Sequence, residues 1–373
     1  EPNGQFGTRI MGGSDAASSR YIHTELNKLT DCIYPIEDFP LLQYVEDDGL
    51  KVEPYHYVPI IPMVLVNGMN GIGTGFSTNI PCFNPEDICH NIRNILGGKE
   101  FKVMEPWFKG FKGSTIKTGD KTYMSKGKYN IINHSTIEIT ELPIGMWTEN
   151  YKEVLNKMVI ERSGKNEGKG IIIDYENQST DTTVYFKIYL KHGYLSSAQW
   201  SEGDIDRIEK DFKLTTTKHT SLTNIHLYNE QNTITKYDTI ESIMREYCRV
   251  RLELYQKRKT YQLNELEESI KIISAKCKFI LDIIDDNVII QKRTKDNIIQ
   301  QLSEKEYPLI NESYDYLLRL PIYTLSQEEI DKLMKVKGDL EREYKDLQET
   351  TIKELWLLEL SVFEKFYKKF LKK

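Results

Sequence analysis

The last third of the chain, from Asp238 onward, consists of long amphipathic helical patterns. Apolar residues recur at 4-3-4 spacing over residues 243–254 and at 4-3-4-3-4 spacing over residues 266–284. A second long helix is predicted to start at the capping box Ser326-Gln-Glu-Glu329. The compact, proline-interrupted stretch YDYLLRLPIYTL at 314–325 lies between the two helices. This pattern favours an antiparallel hairpin of the coiled-coil type, although an amphipathic pair packed on its own domain fits the same periodicity.

The rest of the chain has a mixed texture. Its first part is rich in Gly, Pro and short apolar runs, as expected for a compact mixed domain. In the strand-like part that follows, TIEITEL at 136–142 alternates in polarity and TTVYFKIYL at 182–190 is β-branched and aromatic. Thr148 is predicted to cap a helix between these strands. A length of 373 residues suits two or three domains. We predict three domains, over residues 1–80, 81–236 and 237–373.

Charge and composition exclude several classes of protein. The net charge of -6 argues against a uniformly cationic nucleic-acid coat, but 50 Lys and Arg leave room for a local basic groove. The most apolar run, residues 57–66, is short and broken by Pro59 and Pro62, so no membrane span is expected. Five cysteines without CxxC spacing indicate free thiols in a reducing compartment. No signal-peptide pattern is present, so we do not expect secretion, and a start without methionine suggests a piece of a longer chain.

Two short motifs resemble ligand sites but are better explained otherwise. The stretch VNGMNGIGTGFS at 66–77 has glycines that would let backbone N–H groups approach phosphate. However, it is not GxGxxG, lacks the Lys-Ser/Thr of a P-loop, and is followed too soon by Pro81. Asp204 and Asp206 have the DxD spacing of metal ligands, but we interpret their charged segment as the solvated face of a helix, where such side chains diverge. No metal site is predicted.

Two basic or aromatic stretches leave their interpretation open. Residues 108–129 interleave six lysines with aromatic residues, which suits either contact with a phosphate backbone or a merely soluble loop. The stretch GGSDAASSRYIHTEL at 12–26 presents Arg20-Tyr21 after small, pliable residues. Among 23 tyrosines, such a pair taken alone is most simply a core or surface feature.

Five segments taken together resemble the breakage-reunion region of type IIA DNA topoisomerases of the eukaryotic kind. They occur in the family's order and cover essentially the whole chain: GQFGTRIMGGSDAASSRYIHTEL, VEPYHYVPIIPMVLVNGMNGIGTGFSTNIP, ITELPIGMWTENYKE, DFKLTTT and YDYLLRLP. The resemblance implies an α+β multidomain fold with a winged-helix domain, a mixed α/β tower domain and a long antiparallel coiled coil ending in a small globular exit-gate cap. It also implies a homodimer formed through the winged-helix domains and the gate, where we expect Leu317 and Ile322 to make the two-fold contact.

The resemblance implies a role for individual residues. Tyr21 matches the nucleophile that forms a transient 5′-phosphotyrosine bond with DNA. Arg20 matches the arginine that stabilises the transition state, and its planar fork suits phosphate. Ile72 matches an isoleucine that intercalates and kinks the duplex. The further DNA-contacting positions implied are Trp147, Thr217, Lys218, Thr220 and Ser221.

The chain departs from the family pattern at two positions beside the nucleophile. Ser14 stands where cellular enzymes usually have lysine, and Ser19 stands where proline usually precedes the arginine. These changes affect a local phosphate contact and the rigidity of the loop. They point to a divergent source such as a large DNA virus, so we expect the protein in the nucleus if it is cellular and in the host cytoplasm if it is viral.

The activity implied is ATP-dependent passage of one duplex through a double-strand break in another. In the family, ATP and Mg2+ are bound by an ATPase domain and an acidic metal-binding domain whose motifs do not occur in this sequence. We therefore expect the piece to be inert alone. The alternative is a non-catalytic DNA-bending or dimerisation module of the same fold. Arg20-Tyr21 in its motif context favours the enzyme.

Overall fold

The computed structural model describes residues 1–159, 170–197, 201–202 and 205–372, and these form two compact units. The first unit comprises Glu1–Pro35, Pro59–Val250 and Val362–Lys373, and the second comprises Ile36–Val58 and Arg251–Ser361. Both helices and strands are abundant, so the predicted mixed α and β content is confirmed. The three predicted domain ranges stay a prediction.

The strands are, in chain order, β1 Pro2–Asn3, β2 His23–Thr24, β3 Tyr44–Asp47, β4 Leu50–Pro54, β5 Met69–Ile72, β6 Ser77–Ile80, β7 Ser114–Lys117, β8 Tyr123–Lys126, β9 Lys128–Asn133, β10 Thr136–Glu141, β11 Ile172–Asn177, β12 Phe186–Leu190, β13 Ser201–Glu202, β14 Ile205–Asp206, β15 Thr215–Thr216, β16 His226–Tyr228 and β17 Ile234–Lys236. The α-helices are α1 Lys28–Ile33, α2 Met63–Asn67, α3 Pro85–Leu96, α4 Thr148–Asn156, α5 Tyr194–Ser197, α6 Arg207–Asp211, α7 Ile240–Ile284, α8 Lys295–Glu304, α9 Asp315–Leu318, α10 Gln327–Glu349 and α11 Ile352–Leu371.

The largest sheet of the first unit is antiparallel, with strand order β11-β12-β10-β9. The period-two pattern of TIEITEL is confirmed, because Ile137 and Ile139 are fully buried on one face of β10. Helix α4 covers this face through Tyr151 and Leu155, which belong to the same apolar cluster. The helix begins one residue earlier than predicted, since Trp147 is the N-cap and Thr148 is already helical and buried.

Asp206 of the DxD segment does not lie on the solvated face of a helix. Asp206 ends β14 and caps α6, where its carboxylate accepts from the Glu209 backbone N–H at 2.7 Å and the Glu209 side chain accepts from the Asp206 N–H at 3.1 Å. Ile208 and Glu209 are buried. This reciprocal capping box accounts for the acidic side chain at position 206. Asp204 lies outside the described residues.

Smaller sheets complete the first unit. Strands β15, β8 and β7 form a three-stranded sheet, and the pairs β1–β2, β5–β6, β13–β14 and β16–β17 are two-stranded. Hairpin β5–β6 pairs Ile72 with Ser77 next to its turn, and β15 pairs Thr215 with Lys126 of β8. These pairings bring the segments that carry the predicted DNA contacts into one unit.

The second unit contains the predicted antiparallel helices. In α7, Arg258 pairs with Glu359 of α11, whereas Leu266, further along α7, lines the same cavity as Leu347 of α10. Residue numbers therefore fall along one helix as they rise along the other. The two apolar seams of the sequence belong to one continuous helix of 45 residues.

The returning helix is divided, which the periodicity did not predict. Helix α10 ends at Glu349 and α11 begins at Ile352. At the break the Lys259 ammonium donates to the carbonyls of Gln348 at 2.9 Å and Thr350 at 2.7 Å, and so satisfies carbonyls that a helix end leaves unpaired. Ser326 is the N-cap of α10 as predicted, although its side chain makes no capping hydrogen bond.

An ionic cluster is buried where α7 enters the second unit. The Arg251 guanidinium is fully buried and donates to Asp38 at 2.5 Å and to the Val58 carbonyl at 2.6 Å. Arg258 donates to the other Asp38 oxygen at 3.2 Å and also pairs with Glu359. Breaking such a pair leaves a buried charge without its partner, which is strongly destabilising.

The compact end of the helical pair has its own core. Phe279, Leu302, Tyr307 and Leu317 are members of one buried cluster built from α7, α8, α9 and the segment between α8 and α9. Ile322, in contrast, is 87% exposed, whereas Leu317 is only 1% exposed. The expectation that both residues make a two-fold contact is therefore wrong for Leu317, because its side chain is already covered within its own chain. Among the described residues, no helix combines the length and the apolar character that crossing a membrane requires.

Candidate active site

Tyr21 lies on the surface of the first unit in a single 3-10 turn, Ser19–Tyr21, stabilised by a hydrogen bond from its N–H to the Ser18 carbonyl at 2.9 Å. The Tyr21 side chain is 67% exposed, and Arg20 beside it is also exposed. The Arg20 guanidinium carbon lies 5.1 Å from the centre of the Tyr21 ring. A planar cation therefore accompanies an accessible phenol.

The loop before this turn is closed by its own side chains. Asp15 accepts hydrogen bonds from the Thr8 hydroxyl at 2.6 Å and the Thr8 N–H at 2.9 Å. These bonds, above all the one from the hydroxyl, hold the pKa of the Asp15 carboxyl below its ordinary value. A backbone bond from Gly13 to the Thr8 carbonyl at 3.2 Å closes the same loop. We call residues 8–21 the nucleophile loop, after the nucleophile that the sequence predicts at Tyr21.

The nucleophile loop is docked on β10 and α4. The Arg9 guanidinium pairs with Glu141, whose side chain is only 2% exposed, and the Arg9 N–H donates to the Asp181 carbonyl at 2.9 Å. The Glu149 N–H, in the first turn of α4, donates to the Ile10 carbonyl at 3.0 Å. Side-chain and backbone bonds thus tie the start of the loop to the largest sheet.

Trp147 forms the floor beneath the loop. Gly12 has a φ of +63°, and a Cβ added there would lie 2.2 Å from Cε2 of the Trp147 indole. Only glycine permits so close an approach of backbone to ring. Trp147, predicted to contact DNA, is 37% exposed, so part of its ring faces solvent while another part meets the loop.

Ile72 stands at the tip of hairpin β5–β6. Beyond it the chain turns through a hydrogen bond from the Gly73 N–H to the Phe76 carbonyl at 2.8 Å. The Ile72 side chain is 91% exposed, which suits a residue that inserts into a partner. Its prominence comes from the hairpin itself, because the neighbouring glycines add no side-chain bulk.

The threonine-rich segment packs beside this hairpin. The Asn79 side chain donates to the Lys218 carbonyl at 3.2 Å, and the Asn79 N–H donates to the Asn224 carbonyl at 2.8 Å. The Asn224 side chain in turn donates to the Ser77 hydroxyl at 2.8 Å. Segment 215–226 and the hairpin therefore form one surface.

The four residues of this segment that were predicted to contact DNA differ in exposure. Thr217 and Lys218 are exposed, and Ser221 is half-buried with its hydroxyl 2.8 Å from that of Thr223. Thr220 is fully buried, and its hydroxyl donates to the Tyr123 carbonyl. Because that hydroxyl is used inside the protein, Thr220 holds the segment on β8 and is not placed to contact a phosphate.

His219 connects the segment to the loop that carries Trp147. A Cβ added at Gly145, where φ is +82°, would lie 2.2 Å from Cδ2 of His219. Burial, followed by the charge of Lys218, lowers the pKa of His219 from its ordinary value, so the neutral ring is favoured. The Gly145–Trp147 loop therefore touches the threonine-rich segment at one end and the nucleophile loop at the other.

His226 is a component that the sequence analysis missed. Its Nδ1 lies 2.9 Å from the Ser77 carbonyl oxygen and 3.0 Å from Oδ1 of Asn224. Since both neighbours are acceptors, Nδ1 carries a proton and donates to them. The ring also meets Phe76 edge-on at 5.7 Å between centroids. An isolated histidine on a short strand carries no signal that would have predicted this bracing of the hairpin.

The lysines of 108–129 do not form a single free basic track. The Lys126 ammonium lies 2.7 Å from Glu209, and that of Lys121 lies 3.5 Å from Asp238. The Lys109 ammonium lies 3.9 Å from the centre of the Phe370 ring. These three lysines have partners within the protein, which neither alternative left open by the sequence predicted.

The described part of the chain offers no metal site. No group of three or more His, Cys, Asp or Glu side chains within it is arranged to hold an ion. Two acidic side chains pair with residues of the nucleophile loop: Asp15 accepts from Thr8 and Glu141 pairs with Arg9.

Comparison with known proteins points to one family. The family model for the A subunit of DNA gyrase/topoisomerase IV matches residues 1–361. DNA topoisomerase 2 of Penicillium chrysogenum is 36% identical over 97% of this chain and 24% of its own length. The mimivirus DNA topoisomerase 2, from Acanthamoeba polyphaga mimivirus, is 36% identical over 98% of this chain and 33% of its own length. That of Bombyx mori is 44% identical over 82% of this chain and 19% of its own length.

A solved structure agrees with these matches. The crystal structure of the Plasmodium falciparum topoisomerase II DNA-binding, cleavage and re-ligation domain is similar with a TM-score of 0.83 and 35% identity, over 100% of this chain and 52% of that one. The chain spans no more than a third of the length of the curated relatives named above. The resemblance predicted from the sequence is confirmed, and the chain belongs to the family of the DNA gyrase/topoisomerase IV A subunit, with DNA topoisomerase 2 among its relatives.

Proposed function

We propose that this chain is the DNA breakage-reunion portion of an ATP-dependent type IIA DNA topoisomerase and that Tyr21 is its nucleophile. The observation that carries the proposal is the exposed turn in which the Arg20 guanidinium lies 5.1 Å from the Tyr21 ring. The loop before this turn is tied to β10 and α4, so the phenol is presented from a fixed support. Preorganised groups of this kind favour a reaction at one defined position.

The reaction exchanges one phosphodiester for another. The Tyr21 phenolic oxygen attacks a DNA phosphorus, the P–O3′ bond breaks, and the 5′ end remains attached to the protein. The phenol proton passes to solvent, and the departing 3′ oxygen takes up a proton. Arg20 stabilises the negative charge that grows on the phosphate oxygens. Because the number of ester bonds is unchanged, attack by the 3′ hydroxyl on the phosphotyrosine restores the strand.

The family resemblance is the only support for Mg2+ and ATP as cofactors of the full-length protein. The described residues include no acidic cluster that fits a divalent ion, so they supply the phenol and the guanidinium to the reaction but no metal ligands. The resemblance assigns Mg2+ and ATP to other regions of such enzymes. We propose that Mg2+ and ATP serve the same roles for the full-length protein. We also propose a location in the nucleus if the protein is cellular and in the host cytoplasm if it is viral.

DNA is the partner that the exposed residues suit. Ile72 is proposed to wedge between base pairs, which would unstack a step and kink the duplex, and its high exposure supports this role. Thr217, Lys218 and Ser221 present hydroxyls and a cation beside that hairpin and are proposed to contact phosphates. The exposed part of Trp147 is proposed to contact the same duplex.

Two copies are needed for a double-strand break, because each Tyr21 attacks one strand. We propose a homodimer formed through a winged-helix domain near the N-terminus and an exit gate at the end of the helical pair, with a tower domain between them. The exposed Ile322 and Tyr323 support the gate contact, since apolar side chains at a tip favour a partner surface. A non-catalytic bending module would also use Ile72, but it has no use for Arg20 beside Tyr21.

Replacement of Tyr21 tests the proposal. Tyr21→Phe in the full-length protein should abolish covalent protein–DNA adducts trapped by denaturant, while DNA binding stays near normal. Tyr228→Phe is the matched control, because Tyr228 is 69% exposed in the same unit, compared with 67% for Tyr21. Adducts that survive Tyr21→Phe would show that another residue is the nucleophile and would overturn the assignment.

A further inference from the structure

We propose that Trp147 is a positioning residue for the nucleophile loop and that it acts through Gly12. This inference rests on the proposed function of Tyr21. It assigns the tryptophan a role in addition to the DNA contact that the family resemblance implies. One face of the ring sets where the loop lies, and the exposed remainder stays available to DNA.

The contact between Gly12 and the indole ring is unusually close. A Cβ built on Gly12 would lie 2.2 Å from Cε2, 2.3 Å from Nε1 and 2.5 Å from Cδ2 of Trp147. All three atoms belong to the five-membered ring or its fused edge, so the Gly12 backbone lies against the face of the indole. A rigid, flat side chain of this kind defines the position of whatever packs on it.

The backbone at Trp147 is held in place by the start of α4. Trp147 is the N-cap of α4, and its carbonyl accepts the Tyr151 N–H at 2.9 Å. Tyr151 is fully buried and donates its hydroxyl to the Phe212 carbonyl at 2.9 Å. The backbone that carries the indole is therefore anchored in the core of the first unit.

The loop is fixed on both sides of Gly12. Before it, the Ile10 carbonyl accepts the Glu149 N–H at 3.0 Å, and Arg9 pairs with the buried Glu141. After it, the Ala16 N–H donates to the Gly13 carbonyl at 3.1 Å, and the Ala17 N–H donates to the Gln5 carbonyl at 2.9 Å. These bonds restrict the chain from Arg9 to Ala17, so a displacement at Gly12 is passed toward Tyr21.

Two adjacent glycines provide a matched test. Gly12 and Gly13 both have positive φ, +63° and +90°, so alanine strains the backbone at either position. Only at Gly12 would the new methyl group meet the indole, because nothing lies within 4 Å of a Cβ at Gly13. A difference between the two variants therefore reports the contact with Trp147 and not the backbone strain that they share.

The experiment measures single-turnover cleavage at saturating DNA, with the full-length protein. We expect Gly12→Ala to slow cleavage at least about 10-fold more than Gly13→Ala, since small displacements of reacting groups are costly. The Kd for DNA should stay within about twofold of wild type, because phosphate contacts dominate binding. Equal cleavage rates for the two variants would overturn the proposal.

A second variant removes the obstacle. Trp147→Ala in the Gly12→Ala background should bring cleavage back toward the rate of Gly13→Ala, because the methyl group then has room. Trp147→Ala alone should slow cleavage and speed hydrogen exchange of residues 8–21. If Trp147→Ala only raises the Kd for DNA, the ring is a DNA contact and positions nothing. Failure of the proposed function itself is seen separately, as adducts that persist in Tyr21→Phe.

Discussion

The Arg20 guanidinium carbon lies 5.1 Å from the centre of the Tyr21 ring, so one exposed turn carries both the cation and the phenol. Two substitutions at Arg20 distinguish the effect of its charge from the effect of its shape. Arg20→Lys keeps the charge and loses the planar fork, whereas Arg20→Ala loses both. We expect alanine to slow single-turnover cleavage by about 10²–10³-fold, as for other lost donors to a transition state, and lysine to slow it less. Unchanged cleavage in Arg20→Ala would exclude a role for this side chain in the reaction.

Replacement of Ile72 tests whether the bending of DNA can be changed separately from the affinity for DNA. Ile72→Ala should reduce the DNA bend angle, measured by energy transfer between the ends of a labelled duplex, and should reduce cleavage with it. Affinity should change only a few-fold, because the wedge acts on stacking whereas phosphate contacts dominate affinity. Ile131→Ala, at a 55% exposed isoleucine on β9, is the control and should leave the bend unchanged. A normal bend in Ile72→Ala would mean that another residue kinks the duplex.

His226 offers a test of how the wedge is held. Its Nδ1 donates to the Ser77 carbonyl, and Ser77 lies opposite Ile72 beside the turn of the hairpin. An asparagine amide nitrogen occupies the place of Nδ1, whereas a glutamine nitrogen reaches the place of Nε2. We therefore expect His226→Asn to keep more of the DNA bend than His226→Gln in the same energy-transfer measurement. Equal bends in the two variants would show that the Nδ1 bond does not hold the hairpin.

Local sequence patterns predicted some of this molecule well, and the reason is physical. The alternation of TIEITEL decides which side of β10 faces the core, so burial of Ile137 and Ile139 followed from the pattern. The same pattern could not reveal that Glu141 is buried as well, because its partner Arg9 lies 132 residues away in the sequence. Pairings of that kind depend on the tertiary fold.

At the candidate site too, the sequence predicted some features, whereas others depend on contacts between distant segments. The resemblance in sequence marked Tyr21 and Ile72, and both are exposed as their proposed roles require. It also marked Thr220, whose hydroxyl is instead used inside the protein. Neither the seat of Gly12 on Trp147 nor the bracing by His226 was predicted, because each joins segments that are distant in sequence and carry no shared motif.

The bond between Thr8 and Asp15 predicts a pH dependence of the nucleophile loop. Hydrogen bonds from Thr8 lower the pKa of Asp15 below its ordinary value of 3.8. A lowered pKa in the folded state contributes stability that is fully present above pH 3.8 and is lost as the pH falls through the folded-state pKa. We expect exchange of the Thr8 amide proton to lose its protection in that acid range, as measured by NMR. In Asp15→Asn this change should be absent, and a transition that persists there would belong to another group.

The last prediction concerns the end of the helical pair, where Ile322 and Leu317 differ in exposure. Ile322 is 87% exposed, so Ile322→Asp should weaken dimerisation of the protein while leaving its helix content intact. Leu317 is 1% exposed and packs in the local core with Phe279 and Leu302. Leu317→Ala should therefore lower the free energy of unfolding by about 2–5 kcal/mol, as for other buried leucines, without a matching loss of the dimer.

Sedimentation equilibrium and circular dichroism together distinguish these outcomes. Dimer loss with normal helix content in Ile322→Asp places the two-fold contact on the exposed turn Ile322–Leu325. We expect the dimer to weaken because closing the gate would bury the charged aspartate against an apolar surface and remove its water. An unaltered dimer in Ile322→Asp would move the contact to another part of the chain, whatever the result for Leu317→Ala.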